Sequence, residues 1–319
     1  MIAEESLTID GGPMIFKTVK QRQKAASSDI QVEYNNFARG GVKPKTFVSS
    51  NRSVLSQYKR FAGKKNEKYD ACSDLVATLM DYLRSSFIFD PNPKLMRTYD
   101  RIGNSTLAKN GANLSSVLYA LSEGSEEEKQ SLTHILEWIR QVPEEPYKNI
   151  EFVKTDLNDV IFGLRETREG PFIDARLLSD GTLRALAVLT ALETATAGSR
   201  LVIEEFDNGL HPSRVNVLIE AMASCCERRQ LNVLVTTHNP ATLNTLQHEQ
   251  LNSVIMCAWN SEQKAFNLIN FYDLPRYDEL IERGGLGDLV TRRVVERHLA
   301  PNFEKEHKEK ALAWLRSLP

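Results

Sequence analysis

The sequence predicts an α/β fold built on a parallel sheet, and two observations carry that expectation. In the second half of the chain, segments of helical period alternate with short apolar strands: helix 181–197, strand 200–205, helix 212–229, strand 231–237, helix 240–246 and strand 252–258. Strands 200–205 (RLVIEE) and 231–237 (LNVLVTT) are also nearly continuous apolar runs, the pattern of strands covered on both faces by helices. Strands separated by helices in this way belong to a parallel sheet.

The elements ahead of that region differ in character. The first 65 or so residues are polar and irregular, with short β-like pieces in PMIFKTV, IQVEY and KTFVSS. Asp70–Arg84 has apolar residues at helical spacing, and a short apolar run follows at Phe87-Ile88-Phe89 before Pro91 and Pro93 break the pattern. Ala112–Leu121 and Ser125–Val142 read as two further helices. In the second, Ser125 followed by three glutamates has the form of an N-cap with acids in the first turn, where the helix dipole favours them. Residues 149–154 and 160–166 read as strands. After the alternating region come a strand at 265–271 and helices near 277–283 and 287–299.

Composition narrows the function classes. The chain has 319 residues, 41% hydrophobic and 26% charged, enough for a large core, and no apolar run of about 18 residues that would span a membrane. The opening MIAEESLTID is acidic and has no apolar h-region, so it does not read as a secretory signal. Cys72, Cys225, Cys226 and Cys257 show no metal-ligand spacing, and the reading is of reduced thiols in a cytoplasmic protein. Net charge is only −2, yet residues 17–68 hold thirteen Lys/Arg against three acids, with Tyr34, Phe37, Phe47, Tyr58 and Phe61 interspersed. Such a stretch is either a phosphate-backbone footprint for DNA or a solvated basic face balanced by acids elsewhere.

Three strings carry chemistry. LVIEE (201–205) ends an apolar strand in two carboxylates. At the carboxyl end of a parallel strand one such acid can hold Mg²⁺ and the next can orient a water against a γ-phosphate. VLVTTHNP ends the following strand in His238, within reach of the same crevice, whereas a lone histidine would be an ordinary loop residue. LLSDGTLRALAVLTALE opens a helix at Ser179 and Gly181, and a helix amino terminus offers free N–H groups to an anion, although a plain Ser-capped helix reads the same way.

In order, LLSDGTLR, LVIEEFDNGLHP and VLVTTHNPATLN resemble the ABC-type ATPases of the SMC/RecF/OLD group, most closely the predicted AAA-family ATPases with an LSDGTLR signature. SNRSVLSQYKR, FDPNPKLMR, NGANLSSVL and GGLGDL extend the resemblance over roughly residues 45–290. It implies a P-loop NTPase fold of the ABC ATPase head kind, with a parallel central sheet. The expected parts are a partial, basic, β-rich first lobe at 1–66, a helical insert at 67–147 and the ATPase lobe at 148–319. It further implies that Ser179, Gly181 and Arg184 form a signature contacting the γ-phosphate of ATP bound by another subunit. Glu204 takes the Walker B place for Mg²⁺, Glu205 is the general base, and Asn208, Gly209 and Leu210 lie on a D-loop at the dimer interface. His238 is then the switch histidine. Gln57 falls near the lobe–insert junction but is not assigned as a Q-loop glutamine, and Phe206-Asp207 stands where the family usually has Pro-Glu. The implied cofactors are ATP and Mg²⁺. The implied partners are a second copy or a related subunit, an effector protein and, through residues 17–68, DNA, in repair or antiphage defence.

One motif is missing. A P-loop needs GxxxxGK[ST] between a strand and a helix, so that backbone N–H groups and a lysine cradle the phosphates. The nearest string, Gly11–Thr18 (GGPMIFKT), has Phe16 at the second glycine, and YKRFAGKKN around Gly63-Lys64 also fails. The expectation is therefore a truncated or split ATPase, inactive alone. A degenerate enzyme serving as a non-catalytic interaction module is the alternative. A fused nuclease is disfavoured, because the residues after His238 hold no DxD cluster.

Overall fold

A computed structural model describes residues 2, 4–19, 29–37, 42–62, 67–143, 147–167, 169–260, 264–274 and 276–298, with isolated positions between 303 and 316. It divides into two compact units, Met1–Ser86 and Phe87–Pro319.

In the first unit β1 (Ser6–Thr8), β2 (Met14–Thr18), β3 (Asp29–Tyr34) and β4 (Lys45–Ser49) form an antiparallel sheet in chain order. The last three are the strands expected from PMIFKTV, IQVEY and KTFVSS. Helices α1 (Val54–Phe61) and α2 (Glu67–Arg84) follow, and Ile15, Phe16, Val32, Val54, Tyr58 and Val76 make the core. The amino terminus of α1 is capped from a distance. The Glu5 carboxylate accepts from the Val54 N–H (2.8 Å), the Leu55 N–H (2.9 Å) and the Ser53 hydroxyl (2.8 Å), placing negative charge at the positive end of the helix dipole. Gln57 is buried and staples the turn ahead of its own helix. Its Oε1 accepts from the Ser49 N–H, and its Nε2 donates to the Ser49 and Arg52 carbonyls.

Part of the basic stretch is paired within this sheet, since Glu33 lies 3.6 Å from Lys17 and 3.8 Å from Lys45. Lys20, Arg22, Lys24, Arg39, Lys64 and Lys65 lie outside the described residues.

The second unit opens with β5 (Phe87–Phe89) and a 3-10 turn at Pro93–Arg97. It continues through β6 (Asp100–Arg101), α3 (Leu114–Glu123), α4 (Glu126–Ile139), β7 (Asn149–Lys154), β8 (Asp159–Arg165) and β9 (Ile173–Asp174). The alternating segment gives α5 (Asp180–Thr194), β10 (Arg200–Ile203), α6 (Pro212–Arg229), β11 (Asn232–Val235) and α7 (Pro240–Asn244). The chain then runs through β12 (Ile255–Asn260), β13 (Ala265–Asn270), α8 (Tyr277–Glu282), α9 (Leu286–Thr291) and α10 (Val294–His298). The helix starts follow their sequence signals. Ser125 forms a capping box with Glu128 on α4, and α6 has Pro212 in its first turn and ends at Gln230 in the left-handed region.

The parallel sheet is present, in the order β11-β10-β5, with β10 in the middle. Its membership departs from the sequence reading in two ways. Phe87-Ile88-Phe89, which no local pattern assigned to a sheet, is an outer strand pairing with Leu201–Ile203. The stretch at 252–258, expected to extend the parallel sheet, is instead β12 of an antiparallel ribbon with β13. Its IMCAWN sequence alternates between exposed and half-buried positions, so only one face packs, through Met256 and Ile269, against the Phe271–Leu289 cluster. A second antiparallel sheet, β6-β8-β7 with β9 alongside β8, packs with α3. Helix α5 lies at the centre, every residue from Gly181 to Glu193 buried, and packs on α4 and α6. No described helix is long and apolar enough to cross a membrane.

Candidate functional site

The site forms where β10 and β11 end side by side. Pairing continues past both strands: the Glu204 N–H donates to the Phe89 carbonyl and the Thr236 N–H to the Ile203 carbonyl, each at 3.0 Å. The two acids of LVIEE therefore emerge between β5 and β11, as the strand-end reading requires.

Glu205 sits there with φ of +44°, a left-handed backbone that a non-glycine residue adopts at a cost of about 1–3 kcal/mol. Such a conformation persists only when its surroundings fix it, and four contacts do so. Its N–H donates to Thr236 Oγ1 (3.0 Å), its carbonyl accepts from Arg184 (3.3 Å), its Oε2 accepts from the Asn208 amide (3.3 Å), and its Oε1 lies 3.3 Å from His238 Nε2. The His238 side chain is 84% exposed and that of Glu205 51%, so both remain open to a ligand. Glu204 is also exposed, and its carboxylate joins no hydrogen bond or ion pair among the described residues.

Helix α5 brings the LLSDGTLR segment to the same place. Ser179 caps it, accepting from the Thr182 N–H at 3.0 Å. A Cβ on Gly181 would meet the Gly209 carbonyl and Leu210 Cδ2 at 3.3 Å, which shows how closely the first turn packs on the 208–210 loop. Gly209 makes that loop possible with φ of +76°. Arg184 is buried, which pushes its guanidinium below its usual range, while Asp90, Glu205, Asp180 and Asp207 pull it back. Its charge is thus held among acids.

Glu205, His238, Arg184 and Asn208 are joined by direct contacts, and of the neighbouring residues Ser179 and Gly209 are exposed whereas Gly181 and Leu210 are buried. His211, by contrast, is an N-cap, its Nδ1 accepting from the Ser213 N–H. Two supporting groups escaped the sequence reading. Arg97, the last residue of FDPNPKLMR, donates to the carbonyls of Ala175, Arg176 and Leu178 and to the Asp180 carboxylate, fixing the approach to α5. Asp207, only 3% exposed, accepts from the hydroxyls of Thr237 and Thr242. Nothing local in the sequence announces either partnership, because the partners lie thirty or more residues away. Gly11–Thr18, the nearest approach to a P-loop, forms a hairpin turn and β2, antiparallel to β1 and β3, not a loop leading into a helix.

A family model described as "AAA domain, putative AbiEii toxin, Type IV TA system" matches residues 24–244. No curated protein matches the chain. Among solved structures the chain is similar to the SmcHead bound to the C-winged helix domain of ScpA, at 8% identity and a TM-score of 0.39, over 82% of this chain and 76% of that one. With the match spanning LLSDGTLR, the paired acids and His238, the chain belongs to this AAA domain family, a nucleotide-binding ATPase kind.

Proposed function

We propose that this chain is an ABC-type ATPase head that works as a nucleotide-driven switch in a dimer or heteromer. The observation that carries the reading is the Glu205–His238 approach of 3.3 Å across two neighbouring strand ends, with Glu205 held in a left-handed backbone. A carboxylate so placed can take a proton from water attacking a γ-phosphate, and an imidazole beside it can meet the phosphate oxygens. The amino terminus of α5, with Ser179 exposed at its cap and Gly181 packed close behind it, turns a positive dipole end toward a triphosphate held by a partner. It shares one surface with Asn208 and Gly209, as a subunit-facing signature requires. Arg184 stabilises charge behind them.

Glu204 fits a magnesium site of the kind Mg²⁺ prefers, one or two carboxylates with water and phosphate completing the shell; no cluster of three or more ligating side chains occurs among the described residues. Bound there, Mg²⁺ would neutralise phosphate charge.

Because Gly11–Thr18 is a hairpin, the phosphate-gripping lysine must come from another segment or subunit in this reading. The same observation favours the second reading, a non-catalytic interaction module descended from such an ATPase. The family description, "putative AbiEii toxin, Type IV TA system", supports a toxin–antitoxin setting. In this proposal the switch serves antiphage defence and acts with an effector protein or DNA.

The test is to express the chain together with any P-loop-bearing segment its own locus encodes, and to compare ATP binding and phosphate release with the Glu205→Gln variant. The variant should retain ATP and release phosphate at least about 100-fold more slowly. Equal release by both, or no Mg·ATP binding by either, sinks the catalytic reading.

A further inference from the structure

Asp207 is a buried carboxylate that, besides helping to hold the Arg184 charge, has hydrogen bonds the proposed chemistry does not use. It is 3% exposed, and its Oδ2 accepts two hydrogen bonds, from Thr237 Oγ1 at 2.7 Å and from Thr242 Oγ1. The two threonines flank His238. Thr237 precedes it directly, and its Oγ1 also accepts from the Asn239 N–H at 3.0 Å; Thr242 lies in α7 and is itself 1% exposed. His238 cannot be positioned by its own packing, since its side chain is 84% exposed and its described contact is the one with Glu205. What fixes the imidazole is therefore the backbone of the 237–242 turn, and that turn is gripped on both sides of His238 by one oxygen of Asp207. Asp207 in turn lies two residues beyond Glu205, in the turn that leaves β10. The same side chain thus ties the histidine's loop to the loop of the acid it faces.

We propose that Asp207 is a positioning residue that holds His238 against Glu205, setting the register between the two strand ends. The inference rests on the ATPase reading for its significance, but its geometry is testable without nucleotide. Both donors converge on a single oxygen, so an asparagine carbonyl placed there could accept both bonds without the charge, whereas alanine could accept neither.

The experiment uses the full chain labelled with ¹⁵N-histidine, the His238 ring signals being assigned by His238→Asn. In the wild-type background Glu205→Gln should displace the His238 ring signals, because the two groups are in contact. The same displacement should appear in Asp207→Asn and be lost in Asp207→Ala. Should Asp207→Ala fail to fold, Thr237→Val with Thr242→Val removes the same two bonds and should give the same loss. The proposal is overturned if Glu205→Gln leaves the His238 signals in place in the wild type, or if the displacement survives in a folded Asp207→Ala or double-threonine variant. Since no ATP is present, failure of the ATPase reading would leave this result untouched, and failure here would leave nucleotide binding to be judged separately.

Discussion

Replacing Arg97 with methionine keeps most of the side-chain volume and removes every hydrogen bond that the guanidinium gives to the approach to α5. The guanidinium donates to the Ala175, Arg176 and Leu178 carbonyls at 3.3, 2.9 and 2.6 Å and to the Asp180 carboxylate. The salt bridge contributes the smaller part, because the Asp180 side chain is 60% exposed and such a pair is worth about 0–1 kcal/mol. The carbonyls decide the outcome. Hydrogen bonds from a charged donor contribute about 1.5–3 kcal/mol each when buried. Here the Arg97 side chain is itself 25% exposed, so water can partly replace it at the carbonyls. Discounting for that and for shared geometry, the loss should be about 2–3 kcal/mol in all. In a domain of this size each kcal/mol lowers Tm by about 2–4 °C, so Arg97→Met should melt about 4–12 °C lower. Trp138 packs against the same core cluster as α5 and provides the fluorescence signal for a thermal melt. Asp180→Asn should shift Tm by less than half as much. A methionine variant melting within 1 °C of wild type, on the order of the ±0.5 kcal/mol typical of bland surface changes, would falsify the account of how this turn is held.

Gly163→Ala should be more severe than its single methyl suggests. The new Cβ would lie 2.3 Å from Phe172 Cζ and 2.8 Å from the Ile173 carbonyl, in a strand paired on both sides, so a loss of about 2–3 kcal/mol and low soluble yield are expected; a normal melt would refute the packing argument. Thiol reactivity should divide sharply. Exposed Cys257 should react at once with Ellman's reagent in the native state, whereas burial pushes Cys225 up to about 12, keeps it protonated, and should protect it until unfolding. The sign of the linkage follows: above its ordinary value of 9.0 the unfolded thiol ionises first, so Cys225 lowers stability as pH rises from 9.0 to about 12, which alkaline melts of Cys225→Ser against wild type would register.

How much was legible in the sequence varies with the range of the interaction involved. The helix starts at Ser125 and Ser179 were readable because an N-cap is chemistry between a side chain and its own next turn. Strand β10 was readable because a continuous apolar run followed by two carboxylates marks a buried strand and its end, although an ordinary strand end running into a turn reads the same way. That His238 belongs with Glu205 was an expectation from motif order, and the structure places them 3.3 Å apart.

What the sequence determined by itself was thus local: element type, caps, apolar runs and the carboxylates that follow the end of β10. The tertiary structure decided everything that depends on partners distant in the chain. It put Phe87–Phe89 into the parallel sheet beside β10, and it took 255–260 out of that sheet into a ribbon with β13. It gave Glu205 a left-handed backbone, Arg97 its carbonyls and Asp207 its two threonines. The physical reason is common to all of these. Local patterns record how a residue relates to its own helix turn or strand face, whereas strand partnership and buried hydrogen bonding are settled by which distant groups must be satisfied once the core has closed around them.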